Sequence, residues 1–284
     1  MLRKTFFNIQ SVTVKIAAIE HRTQLVYNTD SGEYIGLEPT ADIKTNLKLD
    51  DYLLFDNDPK RSVEFFEEFL FKHVVGVCRE KGWSEPKSPK ELVRLGFSQK
   101  NAFEEFVKST EGVPRDAINI ASNSAQKAFG KSIDIPTIRT TAHRFFQEDK
   151  SSQVEENPLL RKLLEFIIDD AIRSKKTNSF LLKVNKPDKN VDMLFDRRLV
   201  HIRSRNVSSR DNPGERYFHY KLDYGCYIDL ITTKQMPHEF NFLPNEANIE
   251  AIVSETVVPE DNDGRSYRRS ILDLEKFYQK YSDL

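Results

Sequence analysis

The sequence predicts an α+β fold, on three observations. Residues 11–22, "SVTVKIAAIEHR", read as a strand near the N-terminus. Residues 59–148 carry helical spacing almost throughout. Beyond residue 157 helix and strand patterns alternate and end in strand, polar turn, strand.

In the first strand Val12, Val14, Ile16 and Ala18 fall on one face, while Ala17 and Ile19 keep the other apolar toward its end. Strands apolar on both faces belong to sheets covered by helices on both sides. The run stops at Glu20, His21 and Arg22, polar groups at a strand's C-terminal end, where ligands of open α/β sheets sit. One strand makes no sheet, and its neighbours are expected outside these 284 residues. A loop-rich stretch to Asn57 follows.

From Pro59 to Glu80, Val63, Phe66, Leu70, Val74 and Val77 line one helical stripe. "SPKE" at 88–91 is a helix start: Ser88 caps, Pro89 suits the first turn and Glu91 completes a capping box. Gly96 ends that helix, and the next begins at Ser98 with Ala102, Phe103, Phe106 and Val107 inward. Pro114 opens a helix with a small-residue face of Ala117, Ile120, Ala121, Ser124, Ala125 and Ala128. Pro136 to Gln147 is one more, with Ile138, Ala142 and Phe145 inward. The polar stretch 148–157 reads as a linker. After it come an apolar helix from Asn157-Pro158 to about Ser174, the strand "SFLLKV", the short helix "VDMLFDRRLV", and the strands "HIRSRNV" and "YFHYKLDYGCYIDLI" around the turn "SSRDNPGER". That order is the order of a winged-helix domain. "SYRRSILDLEKFYQKY" closes the chain as a helix. The expected divisions are 1–57, 58–150, 157–235 and a tail over 236–284.

Composition bounds the function. Hydrophobic residues are 38%, charged residues 31%, and net charge is −1, so any basic patch is local. Cys78 and Cys226 have no metal-type spacing. Two cysteines and no secretory signal at the N-terminus point to a reducing, cytoplasmic setting. No apolar run approaches the roughly 20 residues of a membrane span.

Several motifs fail on geometry. Gly130-Lys131-Ser132 lacks the first glycine of a phosphate loop, since Ala125 stands there, and it follows a helix instead of opening one. "LEFIIDD" (164–170) imitates an apolar strand ending in magnesium-holding acids, but its flanks continue a helical stripe. Asp50 and Asp51 read as surface or capping acids, and His238-Glu239 lacks the second histidine of a zinc helix. His73, His143, His201 and His219 show no metal spacing, so no metal site is expected.

Two arginine constellations remain. Arg115 follows Pro114 in a first helical turn, near the positive end of the helix dipole, where a guanidinium can grip a terminal phosphate. The plainer reading is a surface arginine paired with Asp116 or Glu111. Arg197, Arg198, Arg203, Arg205, Arg210 and Arg216 stand against Asp211 and Glu215 and either grip nucleic-acid phosphates or solvate a β-ribbon.

Taken in order, these pieces resemble the C-terminal two-thirds of an origin-recognition-type AAA+ ATPase of a bacterial branch. "VTVKIAAIEHR" looks like the core strand bearing the first sensor, and "EGVPRDAINIASNSAQKA" like the lid helix bearing the second-sensor arginine. "IDIPTIRTTAHRFFQEDK" resembles the helix closing the lid, and residues 194–230 the winged-helix tail. The resemblance implies that Arg115 is the second-sensor arginine and that the first sensor lies among Glu20, His21 and Arg22, with Arg22 alternatively a finger toward a neighbouring subunit. It implies ATP as ligand only with a phosphate loop from a separate half or partner subunit, and DNA as a possible second partner. A DNA-binding module and a scaffold without chemistry are the alternatives.

Overall fold

The computed structural model describes residues 9, 11–19, 22–28, 34–38, 41–43, 45, 47–208, 212–235 and 267–282. The chain divides into two units, Met1–Lys48 and Leu49–Leu284. It is of mixed helix and strand, as the α+β reading expects.

In the first unit β1 (Val26–Asn28) pairs antiparallel with β2 (Tyr34–Gly36), Tyr27 facing Ile35. The expected strand over Val12–Ile19 is not formed. Nothing among the described residues pairs with it, and Val12, Ile16 and Ile19 are exposed. The pattern is that of a strand, but a strand needs a neighbour to bond to. Neither β1 nor β2 fell within the expected strand.

The second unit starts at α1 (Leu49–Leu53), inside the stretch read as loop. A bundle follows: α2 (Pro59–Lys81), α3 (Pro89–Gly96), α4 (Lys100–Ser109), α5 (Pro114–Ala128) and α6 (Ile135–Phe145). Its starts are legible as caps. Asp58 accepts from the Arg61 N–H at 3.0 Å, Ser88 from Glu91 at 3.2 Å and Asp134 from Thr137 at 3.0 Å. Glu91 reaches past Ser88 to accept from the Lys87 N–H at 2.5 Å, one residue beyond a standard capping box. Phe66, Phe103, Phe106, Ile120 and Ile138 form the bundle core. The α2 stripe shifts after Leu70 to Val75 and Cys78, leaving Val77 exposed.

The stretch 148–157 is not a linker. α6 widens into a π-helical turn at Phe146–Lys150, continues as α7 (Ser152–Glu155), and Asn157 then caps α8 (Pro158–Phe166). Its polar composition concealed that Lys150 is buried. α8 runs into a second π-helical turn, Ile167–Arg173, so "LEFIIDD" is helical as expected.

Beyond it lie β3 (Ser179–Lys183), α9 (Lys189–Asp196), β4 (Val200–Ser208) and β5 (Arg216–Leu222). The strands form an antiparallel sheet of order β3-β5-β4, with Phe180 opposite Tyr220 and Val200 opposite Leu222. The residues after Leu222, read as strand, are the helix α10 (Tyr224–Gln235). A run apolar on all sides suits a helix buried all round as well as a strand. Tyr224 and Ile228 enter the bundle core, while Cys226, Tyr227 and Leu230 enter a second core with Leu160, Leu163, Leu194 and Leu222. A 3-10 turn at Tyr267–Arg269 leads to α11 (Leu274–Lys280), whose Phe277 is buried in that second core.

Gly225 is where α10 meets α6. A Cβ there would lie 2.4 Å from the Ala142 carbonyl oxygen and 2.9 Å from the Phe146 Cβ. Gly225→Ala is expected to destabilise the fold by about 1–3 kcal/mol, the usual cost of overpacking. A urea denaturation curve checks this, and an unchanged midpoint would mean the two helices part without cost.

Candidate functional site

The turn before Arg115 is fixed from several sides. Thr110 Oγ1 donates to the Val107 carbonyl at 2.8 Å and accepts from the Gly112 N–H at 3.2 Å. Val113 N–H donates to the Thr110 carbonyl at 2.9 Å. Glu111 and Gly112 both have positive φ, 47° and 74°. At Gly112 a Cβ would come within 3.0–3.1 Å of the Leu53 and Leu54 backbone, so glycine is required by both conformation and space. The Glu111 side chain is buried and meets Lys221 Nζ at 3.0 Å, which also reaches Asp56 at 2.8 Å. Burial alone would lower the Lys221 pKa, but the Glu111 and Asp56 carboxylates hold it above its ordinary value.

On the other side of Arg115, Asp116 is fully buried. It meets Lys150 Nζ at 2.8 Å and pairs with Arg198. Lys150 also contacts Asp223 at 2.5 Å, and His201 Nε2 stands 3.5 Å from the same carboxylate. Asp223 caps α10 by accepting from the Cys226 N–H at 3.1 Å. Burial would raise the Asp223 pKa, but the Lys150 charge and the His201 contact keep it well below the carboxylate range. Arg198 has a positive φ of 60° and reaches Asp149 at 3.3 Å as well. Burial, then the Arg115 charge, lowers its pKa, which places Arg115 electrostatically beside it. Residues far apart in sequence thus tie α5, the widened end of α6, β4 and the start of α10 together.

Arg115 itself is exposed. Neither of its expected surface partners is available, because Glu111 is held by Lys221 and Asp116 by Lys150 and Arg198. Among the described residues it makes no ion pair or hydrogen bond. What results is an exposed guanidinium in a helical first turn, with fixed backbone on both sides. Such a group donates two parallel charge-assisted hydrogen bonds to a phosphate or carboxylate.

The other sequence candidates divide. Glu20, Arg210 and His238-Glu239 lie outside the described residues. Arg22 and Arg216 are exposed. Arg197, Arg203 and Arg205 are half-buried, and the Arg203 charge acts inward on Asp56 and His219. The helix ahead of the ribbon, α9, sets Lys189 against Asp192 and Asp196. Lys131 follows the C-terminal end of α5, as the rejection of a phosphate loop expects. Asp169 pairs with Arg173 at 2.7 Å and Asp170 with Lys276 at 2.6 Å, so both belong to ion pairs at the surface. Asp50 and Asp51 fall within α1. Among the described residues no three His, Cys, Asp or Glu side chains group as metal ligands, and no helix is long and apolar enough to cross a membrane.

Sequence reasoning missed two buried networks, Lys150 with Asp116, Asp223 and His201, and Lys221 with Glu111 and Asp56. The available signal was one acid directly after the Pro-Arg pair, at Asp116; Lys150 gave none, because it lies in a polar stretch. Set against known proteins, the chain matches no family model, no curated protein and no solved structure.

Proposed function

We propose that the chain presents Arg115 to the terminal phosphate of ATP, as the lid and winged-helix part of an origin-recognition-type AAA+ ATPase. The phosphate loop and magnesium-holding acids come, in this reading, from a partner or segment outside these residues. The observation that carries it is the pairing of opposites around Arg115: the nearby acids Glu111 and Asp116 are buried and ion-paired, while Arg115 is exposed in the first turn of α5. A helix N-terminus and a forked cation together favour a phosphate. The sheet order β3-β5-β4, with α8 before β3 and α9 after it, supports the winged-helix part of the reading. With the phosphate loop elsewhere, Arg115 supplies one contact and most charge neutralisation is left to the partner.

The DNA-gripping alternative has less behind it. Arg198 is spent on Asp116 and Asp149, Arg203 acts on buried groups, and α9 is acidic on balance.

The test is ATP turnover by the chain purified from its source cells together with whatever ATPase subunit it retains. Arg115→Ala is expected to lower turnover by about a hundredfold, the scale of losing one aligned donor to developing charge. Folding of the variant is expected to be unchanged, since Arg115 is exposed. Turnover equal to the wild type would remove Arg115 from the reaction.

A further inference from the structure

We propose that residues 267–271 are an acid-released strap: proton uptake by His219 lifts them from the edge strand β3 while the bundle and the rest of the sheet stay folded. The strap is short and lightly held. Ile271 lies beside Leu181 in a single parallel bridge. Leu181 N–H donates to the Ser270 carbonyl at 2.7 Å, and Leu272 N–H to the Leu181 carbonyl at 2.8 Å. Ser270 Oγ donates to the Ala171 carbonyl at 3.0 Å. None of Tyr267, Arg268 and Arg269 is buried. By contrast α11, which follows, is anchored by Phe277 in the second core and by the Tyr278 hydroxyl, which donates to Asp188 at 2.6 Å. The strap therefore has one fixed end. Lifting it bares the outer edge of β3, and a bare strand edge is a template for pairing.

What the strap covers can take a proton. His219 stands opposite Leu181, and its ring stacks on that of Tyr267 with centroids 4.0 Å apart and planes at 15°. The residue is 2% exposed, and its Nε2 makes no hydrogen bond among the described residues. The charges around it offer an added proton no acceptor. β4 brings Arg203, β5 brings Lys221 with His201 across the ladder from it, and the segment after α1 brings Asp56. Asp56 and, beyond it, Glu111 are already engaged by Lys221, at 2.8 and 3.0 Å. β3 sets only the apolar Leu181 opposite the ring. Covered, the ring therefore stays neutral down to about pH 3; open to water, it takes a proton below about 6.5. Between those values acid favours the uncovered form. Of the walls around His219 the strap is the one that yields. β4 and β5 share a ladder, and the segment after α1 is held by Lys221 and by Asn57 Nδ2, which donates to the Arg203 carbonyl at 2.9 Å. Attraction between an imidazolium and the Tyr267 face acts in the opposite sense and would tighten the strap. Nothing in the proposal depends on Arg115 meeting a nucleotide.

The test is amide hydrogen exchange on the full chain from about pH 8 to about pH 4.5, each rate divided by that of an unprotected amide at the same pH. Three consecutive amides read the two sides of β3. Ladder bonds alternate along an antiparallel strand, so the Leu181 N–H reports on the strap, and those of Phe180 and Leu182 on the pairing with β5. Opening at Leu181 is expected to be at least about tenfold more frequent than at Phe180 and Leu182 at every pH, as for a segment that opens without the rest. It is expected to rise about a hundredfold over the range, most of it below about pH 6.5. His219→Phe keeps a stacked ring and is expected to abolish the rise. The wild-type series decides by itself if that variant fails to fold. Opening at Leu181 that is flat with pH, or that falls in acid, would overturn the proposal. So would equal opening at all three amides, which makes the event a general unfolding. A rise that survives in His219→Phe would overturn it too, because another group would then be driving the release.

Discussion

Lys150→Met is expected to destabilise the folded chain by about 3–5 kcal/mol, the cost of removing one partner from a buried ion pair. The side chains are similar in length, so the loss is one of charge and not of volume. Asp116 would keep Arg198, and Asp223 would keep the more distant His201, but both carboxylates are buried and would lack their shared ammonium. The denaturation midpoint in urea at about pH 7 measures it. Adding Asp223→Asn to Lys150→Met should cost less than the two changes summed, because each removes a penalty the other creates. A loss under about 1 kcal/mol for Lys150→Met would be that of a surface pair, and the network would not be holding the fold together.

The second large effect is acid sensitivity at His219. Its ring is buried on the central strand and stacks on Tyr267 with centroids 4.0 Å apart. Burial first, and then the Arg203 charge, push its pKa down to about 3. In the unfolded chain a histidine titrates near about 6.5. Between those two values the unfolded state binds the extra proton and the folded state does not, so stability falls as pH falls. The full contribution is present above about pH 6.5 and is lost at about 1.4 kcal/mol per pH unit below it. By about pH 4.5 the loss reaches roughly 3 kcal/mol. His219→Phe keeps the stacked ring without the proton, and its stability curve should be flatter by that amount over the same range. Asp223, with its pKa held low, adds acid sensitivity of the same sign, but only below the carboxylate value of about 4. Parallel curves for the wild type and His219→Phe would show that the ring takes up its proton without unfolding.

The contrast between these two sites and the helices shows what a sequence can carry. Asp58, Ser88, Asp134 and Asn157 declare their helices because a cap acts within three residues. The position of Arg115 in a first turn was readable for the same reason: Pro114 fixes it locally. Asp116, Lys150 and Asp223 were not readable, since they are separated by 34 residues or more and meet only in the folded chain. Lys150 carried a misleading signal, lying in a polar stretch while its ammonium sits in the interior. Tyr224–Ile231 misled in another way, because a helix serving two cores has no polar face from which to read its period. Val12–Ile19 reads as a strand, yet its neighbour is missing among the described residues.

Affinity for ATP set against affinity for ADP, measured on the complex the chain retains when purified from its source cells, tests the proposed role of Arg115 most directly. An arginine on the terminal phosphate should bind ATP more tightly than ADP, and Arg115→Ala should lower ATP affinity at least about tenfold, the loss of a charge-assisted hydrogen bond or two, while leaving ADP affinity as it was. Equal affinities for ATP in the variant and the wild type would contradict the assignment, and the exposed guanidinium would then need a different ligand.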